Sequence, residues 1–233
     1  MATETAPAPT TDVDAEQEHH PEHLEHHFVS SEQQFDSAKL GMWIFLITEI
    51  LLFSGMFVAY AVFRQWHPET FTAAGATLNQ IMGAANPLVL LTSSLTVALS
   101  IHCIKQDKVK QCVYYLLGTL AIAGTFMVVK YFEYTAKFEH GVFPGDAFDP
   151  HGAHYEHLAG MEAAPQFFSI YFVMTGIHGF HVLVGMVVIG AIAYMAWSGS
   201  FSSEWYTPVE LTGLYWHLVD IVWIFLFPLL YLI

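Results

Sequence analysis

Residues 39–64, KLGMWIFLITEILLFSGMFVAYAVFR, form an apolar run long enough to cross a lipid bilayer, with one carboxylate, Glu49, inside it. A spanning helix needs roughly 20 apolar residues. A charged side chain near its centre costs about 2.5–3.5 kcal/mol on insertion scales, so Glu49 requires a compensating partner. The rest of the chain follows the same pattern. It is 55% hydrophobic and 12% charged, against about a quarter charged residues in a soluble domain. Charges are kept out of the long apolar runs, which defines a polytopic membrane protein of all-α class.

The formal net charge of −14 is unevenly spread: nine acidic and no basic residues lie in positions 1–36, and five acidic residues lie between Glu139 and Glu162. The first 36 residues lack the basic and apolar regions of a cleaved signal peptide and read as a disordered, acidic, His-rich cytoplasmic tail. Cys103 and Cys112 are too few for a disulfide framework and read as structural thiols.

Five spans follow, at about residues 38–64, 86–105, 111–138, 165–197 and 208–232, within one domain over residues 37–233. Asp36 or Ser37 is expected to cap the first helix, and Asn86-Pro87 to open the second with Pro in the first turn. A connection of some twenty residues, rich in Thr, Ala, Gly and Asn, joins these spans. Lys105, Lys108 and Lys110 mark a tight hairpin between spans two and three. Lys130, Glu133 and Lys137 occupy the outer end of span three, and a loop with His140, His151, His154 and His157 leads to Pro165. Thr207-Pro208-Val209-Glu210 has the spacing of a capping box. By the positive-inside rule, Lys39, Lys105, Lys108 and Lys110 on one face against Arg64, Lys130 and Lys137 on the other place the N-terminus inside and the C-terminus outside. Trp43, Trp66, Trp197, Trp205 and Trp216 read mostly as interface anchors.

At a rise of about 1.5 Å per residue, Glu49, His178, His181, His217 and Asp220 come to one depth, joined by Thr92, Ser93, Ser94 and Thr96. His178 and His181 are spaced i,i+3, as are His217 and Asp220, so each pair shares a helix face. Gly176 and Gly179 would let a neighbouring helix approach. Such a layer either holds helices together or handles protons or a partner, and spacing alone leaves both readings open. The intramembrane histidines lack the i,i+4 pairing common in helical metal sites, so no metal or haem is assigned to them. The tail EHHPEHLEHH and the loop HGAHYEH read as solvated acidic segments with at most weak affinity for zinc or copper.

The stretches MWIFLITEILLFSGMFVAY, NPLVLLTSSLTVALSIH, KYFEYT, TGIHGFHVLVG and YWHLVDIVWIFLFPLLYL occur in one order over about residues 36–233. Together they resemble subunit III of the haem–copper oxidases in its five-helix bacterial form. The resemblance implies a non-catalytic subunit of a proton-pumping aerobic terminal oxidase of cytochrome c oxidase type in the bacterial inner membrane. It would pack on subunit I, which holds the haems and copper, beside subunit II, and a larger respiratory supercomplex is a further context. In this family the subunit stabilises subunit I, supports proton uptake and holds phospholipid. The family's carbodiimide-reactive glutamate corresponds to Glu49 and its second glutamate to Glu133; its paired histidines correspond to His178 and His181, and its last-helix His and Asp to His217 and Asp220. The chain itself would hold no cofactor or catalytic residue and no nucleic-acid partner is expected. Quinol oxidase subunits and a nitric oxide reductase-linked homologue share the pattern. A stand-alone proton or ion carrier is the reading of a different class, and the lack of an internal repeat or broken helix pair counts against it.

Overall fold

The computed structural model describes residues 24–145 and 148–233. It contains six α-helices: α1 (Ser31–Trp66), α2 (Pro68–Ala76), α3 (Gln80–Ile104), α4 (Val109–Glu139), α5 (Ala164–Trp197) and α6 (Thr207–Tyr231), with a 3-10 turn at Glu156–Leu158. All but α2 are long and apolar enough to span a membrane. The tail expected over residues 1–36 lies, for residues 1–23, outside the described residues.

Three boundaries differ from the sequence expectation. Helix α1 begins at Ser31, ahead of Asp36 and Ser37. Ser30 accepts a hydrogen bond from the Gln33 N–H at 3.2 Å, while Gln33 Oε1 accepts from the Val29 N–H at 2.9 Å. This S-x-x-Q arrangement satisfies two exposed donors reciprocally. Helix α3 begins at Gln80, where Asn79 Oδ1 accepts from Ile81 and Met82, and Pro87 lies inside it. The missing Pro87 N–H removes one helical bond, which the strong cap and a surrounding bundle tolerate. The connection between spans one and two contains α2, opened by Pro68 in its first turn.

Helix α6 sits at the centre, packing on α3, α5 and α1, while α3 and α4 form the closest pair. Half of the most apolar stretch of α6 is buried, against 11% for α1, so α1 is the edge helix with one face against the bundle. Its Leu46, Phe53 and Tyr60 point inward at i, i+7, i+14 spacing, and the Tyr60 hydroxyl donates to the Leu229 carbonyl. Close approach between α5 and α6 occurs at Gly185, where an added Cβ would lie 2.7 Å from the Trp216 ring. Gly176 and Gly179, expected to serve that purpose, border an open groove between α4 and α5; an added Cβ at Gly179 would meet nothing within 4 Å.

On the N-terminal face, Asp107 turns the α3–α4 hairpin with φ of 56°. Its carboxylate accepts from the Ser203 N–H and hydroxyl, each at 2.7 Å, tying this hairpin to the α5–α6 connection. These two bonds hold the Asp107 carboxyl below its usual range. Glu210 makes no capping box, since the α6 N-cap is Tyr206 without a side-chain bond. It pairs instead with Lys39 at 3.0 Å and Lys105 at 3.4 Å, drawing α1, α3 and α6 together. Cys103 and Cys112 are free and buried.

Candidate functional site

The five residues expected in one polar layer separate into three local arrangements. The first joins α1 to α5: His181 Nε2 lies 2.8 Å from Glu49 Oε2, with both side chains about 15% exposed (14% and 15%). His181 Nδ1 lies 2.7 Å from the Ile177 carbonyl, so Nδ1 carries a proton and donates it. One further proton must then sit between Nε2 and Oε2. Whether it belongs to the carboxyl or to the imidazole, the pair as a whole is neutral. This neutrality removes most of the cost of placing Glu49 in an apolar helix. Tyr215 on α6 donates to the His181 carbonyl at 3.0 Å, and Phe53 packs edge-on to the imidazole.

The second arrangement joins α3 to α6. Ser94 Oγ meets His217 Nδ1 at 2.5 Å, Ser93 Oγ donates to Asp220 Oδ2 at 3.5 Å, and Trp216 Nε1 donates to Ser93 Oγ at 3.0 Å. The i,i+3 spacing of His217 and Asp220 directs both toward consecutive serines of α3. Trp216 is fully buried, correcting its assignment as an interface anchor. An indole N–H in a core needs an acceptor, and Ser93 supplies it.

The third position is His178. It is fully buried between the rings of Phe126 and Trp223, whose centroids lie 5.6 and 5.0 Å away. Neither of its ring nitrogens has a hydrogen-bond partner among the described residues. The i,i+3 pair on α5 is therefore divided in role: His181 faces α1 and Glu49, while His178 is an aromatic packing element of the core.

Lys130, Glu133 and Lys137 lie in the C-terminal turns of α4. All three are buried. Lys130 Nζ donates to Glu133 Oε2 at 2.8 Å and Lys137 Nζ to Oε1 at 3.0 Å. The hydroxyls of Tyr231 and Tyr171 also donate to Oε1, at 2.6 and 2.9 Å. Lys130 donates in addition to the Tyr231 hydroxyl at 2.8 Å and lies 4.5 Å above the Trp223 ring. The K-x-x-E-x-x-x-K spacing, i,i+3 followed by i,i+4, signals this cluster in the sequence. The two tyrosines carry no such signal, because Tyr171 and Tyr231 come from α5 and α6.

Three histidines of the connection between α4 and α5 make bonds to main-chain oxygens. His140 Nδ1 lies 2.6 Å from the Ala136 carbonyl, His154 Nε2 lies 3.2 Å from that of Thr77, and His151 bridges two carbonyls. In the tail, ligand atoms of Glu25, His26 and His27 come within 4.8 Å of one another on an exposed turn. They are consecutive and exposed, with no fourth protein donor among the described residues, and do not by themselves define a metal centre.

The architecture is thus a five-span helical membrane protein in which several buried polar pairs and clusters join the helices. The family model described as cytochrome c oxidase subunit III matches residues 12–233. The chain is 30% identical over 203 residues to cytochrome c oxidase subunit 3 of Thermostichus vulcanus, covering 85% of this chain and 88% of that protein. It is 27% identical to quinol oxidase subunit 3 of Bacillus subtilis (strain 168), over 91% of this chain and 97% of that protein. A haem–copper oxidase subunit I+III of Aeropyrum pernix is 27% identical over 85% of this chain and 23% of its own length. The chain belongs to the cytochrome c oxidase subunit III family.

Proposed function

We propose that the chain serves as the non-catalytic third subunit of a bacterial cytochrome c oxidase, seated on subunit I and beside subunit II in the plasma membrane. The observation that carries this reading is the Glu49–His181 pair, a neutral proton-bearing unit at the edge of the bundle. It lies where α1 leaves most of its surface open to a neighbour. The Aeropyrum protein, named as subunits I and III together, supports subunit I as that neighbour. The proton between Glu49 and His181 fits a supporting role in proton uptake. The apolar groove of about 490 Å³ between α1 and α6, with Trp43, Phe57 and Phe225 in its walls and His217 at its edge, suits a phospholipid acyl chain.

The N-terminus is assigned to the cytoplasm. With Lys130 and Lys137 withdrawn into the bundle, Lys39, Lys105, Lys108 and Lys110 face Arg64 alone across the membrane. Haems and copper are assigned to the partner subunits.

Isolating the complex through a tag on this chain tests the reading. The expected product carries haem and oxidises ferrocytochrome c with consumption of oxygen. Oxidation of quinol without activity on cytochrome c would transfer the chain to the quinol oxidases, a second reading that the Bacillus relative supports. Recovery of the chain alone, stable and without haem, would favour a stand-alone carrier.

A further inference from the structure

Asp220 is a third carboxyl group buried within the bundle, and it has neither kind of partner that serves the other two. It is 2% exposed, in the middle of the central helix α6. An imidazole meets Glu49, and two ammonium groups meet Glu133. Asp220 makes no such pair among the described residues. Its Oδ1 is buried with no hydrogen-bond partner among them, and its Oδ2 has one contact, Ser93 Oγ at 3.5 Å.

That contact gives an ionised carboxylate little. A serine hydroxyl has one hydrogen and two lone pairs. Ser93 directs the hydrogen to the Leu90 carbonyl at 2.7 Å, much nearer than Oδ2, and receives the Trp216 N–H at 3.0 Å. An ionised Asp220 would be left with a share of one hydrogen for its roughly four lone-pair sites. An unpaired charge in an apolar core is so costly that the group neutralises instead. Protonation reverses the balance at Ser93. The second lone pair of its hydroxyl is open to an O–H from Asp220, and a side-chain shift of about 0.5 Å brings the contact into the ordinary range.

We propose that Asp220 is a proton-storage site: a neutral carboxylic acid in the core that ties α6 to α3 through Ser93 and keeps its proton at neutral pH. It is distinct from the Glu49–His181 unit, whose proton is shared with an imidazole at the edge of the bundle. From Asp220 the bonds lead through Ser93 to an indole N–H and a main-chain carbonyl. The indole only donates and the carbonyl only accepts, so neither passes a proton on.

The surrounding elements offer no competing cation. Helix α3 faces this part of α6 with the hydroxyls of Ser93 and Ser94, and His217, one turn from Asp220 on α6, is taken up by Ser94 at 2.5 Å. One turn the other way, His178 of α5 packs on the Trp223 ring and Lys130 of α4 lies 4.5 Å above it. Lys130 is bound to Glu133 and Tyr231. Lys39 of α1 and Lys105 at the end of α3 reach α6 at Glu210. Each of these lysines already holds a glutamate, which leaves Asp220 to be neutralised by a proton.

Infrared spectroscopy tests the site in the whole complex purified through this chain, with aspartate carboxyls isotopically labelled so that their bands are told from those of glutamate. An aspartic acid in water gives up its proton at about pH 3.9, so the C=O band of a protonated aspartate at neutral pH marks a group of this kind. One such band is expected in the wild type, lost in Asp220→Asn and kept in Glu49→Gln. The amide of Asp220→Asn can still donate to Ser93, so this variant subunit should stay in the complex. Ser93→Ala removes the acceptor and should move the band to higher frequency, a readout that stands even if Asp220→Asn fails to assemble. In deuterium oxide the isotope shift of the band should develop slowly, as the core opens. The absence of the band in the wild type at neutral pH, its survival in Asp220→Asn, or an unmoved band in Ser93→Ala would overturn the proposal. A shift complete on mixing would show a relayed proton in place of a stored one.

Discussion

Glu49 and Glu133 are both carboxylates within apolar helices, and the chain neutralises them in opposite ways. Glu133 is surrounded: two ammonium groups and two phenols from α4, α5 and α6 converge on it, and its side chain is 4% exposed. Glu49 has one partner, His181, and is 15% exposed at the edge of the bundle. The Glu133 cluster sets two amines against one carboxylate, with rings and hydroxyls packed around the surplus. The Glu49 pair is neutral and holds a proton that either member can own. An enclosed cluster braces the fold, while a neutral pair near the surface can exchange a proton or accept a partner without rebuilding the core.

The comparison is most easily broken at Glu133. Replacing it with Gln leaves two buried lysines without an anion, and breaking a buried ion pair from one side costs about 3–5 kcal/mol. Glu133→Gln should prevent stable incorporation of the subunit, read as its loss from the purified complex. Replacing Lys130, Glu133 and Lys137 together by Met, Leu and Met should recover much of this loss, because apolar groups of similar size remove the desolvation cost with the charges. If the single change is tolerated, Glu133 is not the brace described.

At Glu49 the same chemical change should be mild. The amide introduced by Glu49→Gln can still hydrogen-bond His181 Nε2, so this variant is expected to cost less than about 1 kcal/mol. Glu49→Ala leaves Nε2 without a partner and should cost about 1–3 kcal/mol. Its signature is a shorter active lifetime of the oxidase with haem content unchanged. Equal sensitivity to Gln at positions 49 and 133 would erase the distinction between the two sites.

Much of this contrast was legible in the sequence. Apolar run length and the lysine hairpin defined the five spans, and helical rise brought Glu49 to the level of His181. Depth counting could not separate the partners within that layer, because it gives height along a helix but not rotation about it. His178 and His181 differ by about 300° around α5 at about 100° per residue, an offset of roughly 60° that sends one into the core and the other to α1. The burial of Lys130 and Lys137 was hidden for a related reason: charges near a helix end ordinarily reach water, and the tyrosines that α5 and α6 bring to Glu133 help make their burial tolerable. The Ser30–Gln33 cap was readable but overshadowed by the acidic composition around it.

A third glutamate extends the comparison to the membrane surface and sets its smallest expected effect. Glu210 is as enclosed as Glu49, at 16% exposure, but its partners are not: Lys39 is 34% and Lys105 43% exposed. Water already solvates both ammonium groups, so little is gained by pairing and little is lost when one is removed. Lys105→Ala leaves Lys39 in place at 3.0 Å, and should change stability by less than about 0.5 kcal/mol. That difference should shrink further as ionic strength is raised, since screening weakens an exposed pair far more than a buried one. Melting the complex in low and high salt measures it. The Glu133→Gln defect should persist in both conditions, so a Lys105→Ala effect of similar size, insensitive to salt, would show that enclosure of the carboxylate alone, and not of its partners, sets the strength of these sites.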